Sequence, residues 1–342
     1  MNAISDHIRA LLKVAMLMSL TVACQPRENS SLDSIVAPFL GPNFGGVAVA
    51  VVRDGEVVAK QGFGPADKER NIAVSPDTVF DLASLSKQFT GMALLVLVER
   101  GQISMDDDVR MYVPELPLFD AQRPIRIVDL SQHRSGLSEF PRAQGIPTET
   151  EILEWLSKQS DLEFATGTQW DYTNLNYFIL ARVVERISGQ TLSDFLANEI
   201  FSPAGMRSAQ VLDQVDGEIV NRAIGYCFGS PCRADDGLTG PGGVFASLED
   251  MINWDQALSS DTLVSLEGIV GAAEVGYGLG WRMIRRGRHT LIEHDGDAIG
   301  TRTYFVRYLD VPLSIIILSN QTRFEVEKLE REIAARFISG DA

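Results

Sequence analysis

The feature that most restricts this chain is the position of its strand-like segments: they lie at both ends, with a helical middle between them. Gly46 to Val52 is a run of small and β-branched residues, Asp54-Gly55 is a hairpin turn signal, and Val57 to Phe63 returns as a second strand. Extended patterns resume near Tyr277 and recur at Trp281–Arg285, Thr290–His294, Thr303–Arg307 and Leu313–Leu318. Short turns between neighbouring strands predict antiparallel pairing, so one sheet is built from opposite ends of the chain. Helices are expected over Ser84–Arg100, about Leu175–Ile187, about Leu192–Ile200 and about Glu325–Ile338. Met92 to Val98 is apolar on every face, which predicts a helix buried on all sides. The fold class is therefore α+β: an antiparallel sheet flanked by helices, with an inserted helical subdomain. The natural place for a site is the cleft between sheet and insert.

Charge narrows the partners. The 342 residues carry a net charge of −16 from 46 acidic and 30 basic side chains. No Lys/Arg cluster offsets this, so a nucleic-acid partner is not expected. At the N-terminus, Arg9 and Lys13 precede an apolar run from Val14 to Ala23, and Cys24 follows at once. The run is too short to span a bilayer but fits the core of an export signal. Leu20-Thr21-Val22-Ala23-Cys24 resembles a bacterial lipobox, with Thr21 where Leu is usual. The expectation is an export signal over residues 1–24, ending in lipidation at Cys24 or in plain cleavage. A polar tether over 25–31 and one domain over 32–342 follow. The protein would be periplasmic or anchored to a bacterial membrane. Cys227 and Cys232 then remain as a pair; they flank Phe-Gly-Ser-Pro, a turn-forming segment, and an oxidising compartment would join them.

Three clusters can do chemistry. In Ser84-Leu85-Ser86-Lys87, positions i and i+3 share a helix face, so Ser84 and Lys87 can share a proton. Ser84 stands at the helix N-terminus, where free N–H groups favour developing negative charge. Burial of the helix favours the neutral amine that a Lys base requires. By itself the pattern is weak, because Ser-x-x-Lys arises about once by chance in a chain of this length. Apolar flanks on both sides strengthen it. In Tyr172-Thr173-Asn174, Thr173 or Asn174 can cap the next helix, Tyr172 can relay a proton, and the Asn174 amide can hold a substrate carbonyl. His294-Asp295-Gly296 ends a predicted strand, and Gly296 lets a substrate backbone approach. No second His stands at ligand spacing from His294, so neither a metal nor another cofactor is expected.

These motifs, in this order, resemble the serine β-lactamase and penicillin-binding-protein superfamily. The resemblance is strongest to its class C-like branch, which includes D-Ala-D-Ala carboxypeptidases, D-aminopeptidases and type VIII esterases. Phe80 to Thr90 looks like the family's nucleophile segment; the Leu130–Leu137 loop, Gly167 to Gly189, Pro203 to Met206 and Gly242-Gly243 are similar too. The resemblance implies a serine hydrolase that forms an acyl-enzyme on an ester or amide. Ser84 would be the nucleophile, Lys87 and Tyr172 its proton-transfer partners, and Asn174 the substrate-orienting amide. The backbone N–H groups of Ser84 and Asp297 would form the oxyanion hole. A binding or sensor module that is acylated without efficient turnover is the alternative.

Two departures shape the substrate expectation. His294 takes the place that is Lys in most β-lactamases, and it is expected to gain charge as pH falls through its reference range. Asp295 and Asp297 are expected to add negative charge beside the oxyanion position. Both departures predict weak binding of anionic substrates, with an affinity for them that rises at lower pH.

Overall fold

The computed structural model describes residues 30–41, 44–141, 148–212, 218–232, 238–260, 262–264, 266–273 and 276–338. Cys24, its preceding apolar run and residues 25–29 of the expected tether lie outside these. Ser30 and Ser31, expected to end the tether, instead open a helix.

The elements that position the site are few. Helix α1 is Ser30–Val36, strand β1 is Val47–Arg53 and strand β2 is Glu56–Phe63. Strand β3 (Val79–Asp81) leads into helix α2 (Ser86–Glu99), and helix α3 is Asn174–Ser188. Strands β4 (Gln210–Val211) and β5 (Val244–Ser247) precede helix α4 (Leu248–Leu258). The C-terminal part holds β6 (Tyr277–Gly278), β7 (Trp281–Arg286), β8 (His289–Ala298), β9 (Thr301–Tyr308), β10 (Leu313–Ser319) and helix α5 (Val326–Ile338).

Seven of these strands form one antiparallel sheet in the order β6-β7-β8-β9-β10-β1-β2. The seam between the chain's two ends is the β1–β10 pair, from Val47 opposite Ser319 to Arg53 opposite Leu313. β1 reads Val-Ala-Val-Ala-Val-Val with all six residues buried, as a strand covered on both faces requires. Asp54 and Gly55 turn the chain with φ of 52° and 78°, the two positive values a tight hairpin needs. A second sheet, β3-β5-β4, lies beside the first.

Two cores divide at the large sheet. On one face Val49, Val51, Leu291, Val306, Ile315 and Ile317 pack with Leu32 and Val36 of α1 and Leu329 and Ile333 of α5. On the other, Ala48, Ala50, Ile292, Phe305, Ile316 and Leu318 pack with α2, α3 and α4. Helix α2 is enclosed as its composition requires: every residue from Ser86 to Leu97 is buried. The expected strand over Thr290–His294 is longer than its pattern indicated. Pairing with β9 runs on to Ala298 opposite Thr301, whereas pairing with β7 stops at Glu293 opposite Arg282. His294-Asp295-Gly296 therefore lies inside a strand, at the point where one of its two neighbours ends.

Candidate active site

The chain passes from β3 to α2 through one 3₁₀ turn, Ala83–Leu85, so Ser84 precedes the α-helix proper. Lys87, one turn on, is wholly buried. Its Nζ donates to Ser84 Oγ at 3.1 Å, to Asn174 Oδ1 at 2.8 Å and to the Pro241 carbonyl at 2.9 Å. Tyr172 reaches the same hydroxyl from the opposite side, donating from its O–H at 3.0 Å. Burial drives the Tyr172 phenol well above its ordinary value, and the Asp295 and Glu139 carboxylates add to this against the opposing Ser84 hydrogen bond. The resting side chain is thus a neutral proton donor.

Two candidate caps of α3 are separated by the structure. Thr173 is the cap, its Oγ1 accepting from the Leu175 N–H at 3.2 Å. Asn174 is the first helical residue, and its side chain is released toward Lys87. Glu139, which the sequence did not single out, fixes both: Oε2 accepts from the Asn174 N–H at 2.7 Å and from the Thr173 hydroxyl at 3.1 Å.

The third wall is β8. At Gly296 a Cβ would lie 2.4 Å from the Leu82 carbonyl oxygen, 2.1 Å from Thr303 Oγ1 and 3.2 Å from the Ala83 Cβ. Only glycine lets the strand lie this close to the turn that carries Ser84.

His294 corrects the expectation of a pH-dependent cation. It is 1% exposed. Its Nδ1–H donates to the Asp295 carbonyl at 2.6 Å, which leaves Nε2 to accept from the Tyr277 O–H at 2.8 Å. Burial first, then the Arg282 charge, holds its pKa far below the ordinary imidazole value. The imidazole stays neutral through the range in which it was expected to charge.

The expected negative charge in the cleft is corrected too. Side chains alternate along a strand, so Ile292, His294 and Gly296 face the helical core while Leu291, Glu293, Asp295 and Asp297 face α1 and α5. On that far face Arg282 binds Glu293 at 2.7 Å and also Asp295. Arg302 binds Asp297 at 2.9 Å, Asp295 at 3.4 Å and Glu327 of α5 at 2.9 Å. Period-two alternation was the signal in the sequence that would have removed both aspartates from the cleft.

An aromatic cluster backs the site. His133 is fully buried, with ring centroids 4.4 Å from Tyr172, 4.6 Å from Tyr277 and 5.2 Å from Tyr177. Its Nδ1 faces Asn176 Nδ2 at 3.1 Å, and burial and the nearby Lys87 charge hold it neutral. Trp170, half exposed, completes the rim 6.4 Å from Tyr172. Cys227 and Cys232 are bonded to each other, and their hairpin packs on Gly300, beside the end of β8. Among the described residues, no group of three or more His, Cys, Asp or Glu gathers that could hold a metal ion.

A buried Lys and a Tyr converge on one Ser hydroxyl, between an antiparallel sheet and a helical layer, and form the candidate active site. The β-lactamase family profile matches residues 32–338, and the chain belongs to that family. D-aminopeptidases of Brucella are among its relatives. The Brucella canis protein is 30% identical over 319 residues, 86% of this chain and 59% of the relative. The Brucella anthropi protein is 31% identical over 299 residues, 80% of this chain and 56% of the relative. The chain thus spans less than two thirds of the length of these relatives. Among solved structures, the octameric penicillin-binding protein homologue of Pyrococcus abyssi superposes with a TM-score of 0.81 at 22% identity, covering 91% of this chain and 77% of the other. The D-amino acid amidase of Ochrobactrum anthropi gives 0.78 at 22% identity, covering 92% and 99%. At that identity both speak for the fold.

Proposed function

We propose that this chain hydrolyses amides and esters through an acyl-enzyme on Ser84, with amides and short peptides of D-amino acids as its preferred class. The convergence of Lys87 Nζ and Tyr172 O–H on Ser84 Oγ, at 3.1 and 3.0 Å, carries the reading. In the reacting form Lys87 has given up one proton, turns the freed lone pair of Nζ to the Ser84 hydroxyl, and takes the hydroxyl proton as Oγ attacks the acyl carbon. The Ser84 and Asp297 N–H groups hold the oxyanion. When the acyl–nitrogen or acyl–oxygen bond breaks, Tyr172 gives its proton to the leaving atom and is reprotonated from Lys87. Water then repeats the sequence in reverse and frees Ser84. Asn174, its Oδ1 held by Lys87, offers its NH₂ to the substrate carbonyl. The names of the Brucella relatives support the D-amino-acid preference, as does a His294 that offers no cation to a β-lactam carboxylate.

The test is labelling by a fluorescent fluorophosphonate, alongside turnover of D- and L-alanine p-nitroanilide, a p-nitrophenyl ester and nitrocefin. Ser84→Ala should abolish labelling, and the D-anilide and ester should turn over faster than nitrocefin. Undiminished labelling of the variant would overturn the nucleophile. One product equivalent without turnover would make the protein an acylated sensor.

We infer export as well, with Cys24 as the lipidated end; the Cys227–Cys232 bond supports an oxidising compartment. Two reactive thiols at these positions in denatured, unreduced protein would contradict it.

A further inference from the structure

We infer that Asp81 is a positioning residue for the nucleophile, acting through the backbone of Ala83. The inference rests on Ser84 as the attacking group. Only Leu82 separates β3 from the 3₁₀ turn, which opens at Ala83. It opens with Ala83 at a φ of 47°, in the left-handed region where an alanine Cβ crowds its own carbonyl. Alanine has no intrinsic reason to stay there, so the surroundings must hold it.

The holding groups can be named. The Asp81 carboxylate accepts the Ala83 N–H at 2.8 Å, a side-chain turn spanning two residues. The flanking backbone is anchored elsewhere. Leu82 N–H donates to the Val244 carbonyl at 3.0 Å, and the Leu82 carbonyl accepts from the buried Thr303 hydroxyl at 2.9 Å. The Asp81 carbonyl accepts from Thr301 at 2.9 Å. Leu82 is therefore pinned from both sides, and the Ser86 N–H holds the Ala83 carbonyl behind the turn, which leaves the N–H side of Ala83 to aim Ser84. Rotation there swings the Ser84 N–H and Oγ together, and moves Oγ away from Lys87 and Tyr172. The Asp81 carboxylate is the side chain that holds that rotation.

The experiment compares wild type with Asp81→Ala, Asp81→Asn and the double variant Asp81→Ala/Ala83→Gly. Fluorophosphonate labelling rate, kcat and KM on a p-nitrophenyl ester, and Tm are the readouts. Asp81→Ala should lower kcat and labelling by about ten- to a hundredfold, with KM within about threefold, because small misplacement penalises the chemical step more than binding. Asp81→Asn keeps the acceptor oxygen and should stay within about threefold of wild type. Glycine adopts positive φ without a clamp, so adding Ala83→Gly to Asp81→Ala should recover about tenfold or more of an Asp81→Ala loss near a hundredfold. Wild-type rates in Asp81→Ala, equal damage in Asp81→Asn, or no recovery in the double variant would each overturn the inference. If Asp81→Ala does not fold, Asp81→Asn decides alone: near wild-type labelling supports the role, and loss comparable to Ser84→Ala overturns it. Labelling that survives Ser84→Ala removes the premise itself, and is told apart from the failures above because it is seen with Asp81 intact.

Discussion

The two faces of β8 differ in what they do with polar residues. On the inner face, His294 and Gly296 meet the nucleophile turn and the tyrosines; one is neutral and fully bonded, the other has no side chain at all. On the outer face, Glu293, Asp295 and Asp297 answer two arginines and reach α5. The inner face contributes geometry without charge, and the outer face contributes charge without access to the cleft. Substrate selection in this protein should therefore follow shape and hydrogen bonding at the inner face more than any field from the neighbouring aspartates.

The largest expected effect attacks the inner face. Gly296→Ala places a methyl against the Leu82 carbonyl and must part β8 from the nucleophile turn. kcat/KM for a neutral ester should fall by about a hundredfold or more, at a stability cost of about 1–3 kcal/mol. Activity within a few-fold of wild type would show that the close approach is dispensable.

A smaller effect concerns protons. His133 and His294 have folded-state pKa values held below the ordinary imidazole value of about 6.5, so the unfolded chain binds more protons than the native one below that pH. The stability they contribute is present above about pH 6.5 and is lost as pH falls, at up to about 1.4 kcal/mol per pH unit for each. Tm should drop between about pH 7 and about pH 5, and His294→Gln should make the drop shallower. Over about pH 8 to 6, the ratio of kcat/KM for an anionic substrate to that for a neutral one should stay flat, since His294 does not charge. A ratio that rises with acid would restore the cation role that the buried geometry removes.

The smallest effect belongs to the outer face. Asp295→Asn should change that same ratio by less than about twofold and lower Tm slightly, because its charge is already answered by Arg282 and Arg302. A several-fold gain for the anionic substrate would mean that the Asp295 field, which already reaches the Tyr172 phenol, governs substrate charge as well.

Much of this molecule is legible in its residues. The two-ended sheet follows from strand patterns, and the buried α2 from a run that is apolar all round. Ser84, Lys87, Tyr172 and Asn174 were singled out by motif, and the structure brings them within hydrogen-bond reach of one another. Less legible was anything set by partners distant in sequence. Tyr277 engages His294 only because β6 and β8 share a sheet, and Glu139 reaches α3 from a loop without regular structure. His294 was read by its residue type, whereas its protonation is decided by burial that a linear motif does not display. Asp295 and Asp297 were read by proximity in sequence, although alternation sends them away from the cleft.

The seam between β1 and β10 has a consequence for the order in which the molecule comes into being. Ser84 and Lys87 lie in the first third of the chain, but β8, which supplies Asp297, and β10, which closes the sheet on β1, come near its end. A chain still being made holds Ser84 and Lys87 before β8, the strand proposed to supply the second oxyanion donor, exists. Pairing between such remote segments is also slow to form. On the proposed mechanism the site is therefore complete only when the final strands dock, and a chain truncated before β8 should not be labelled by a fluorophosphonate.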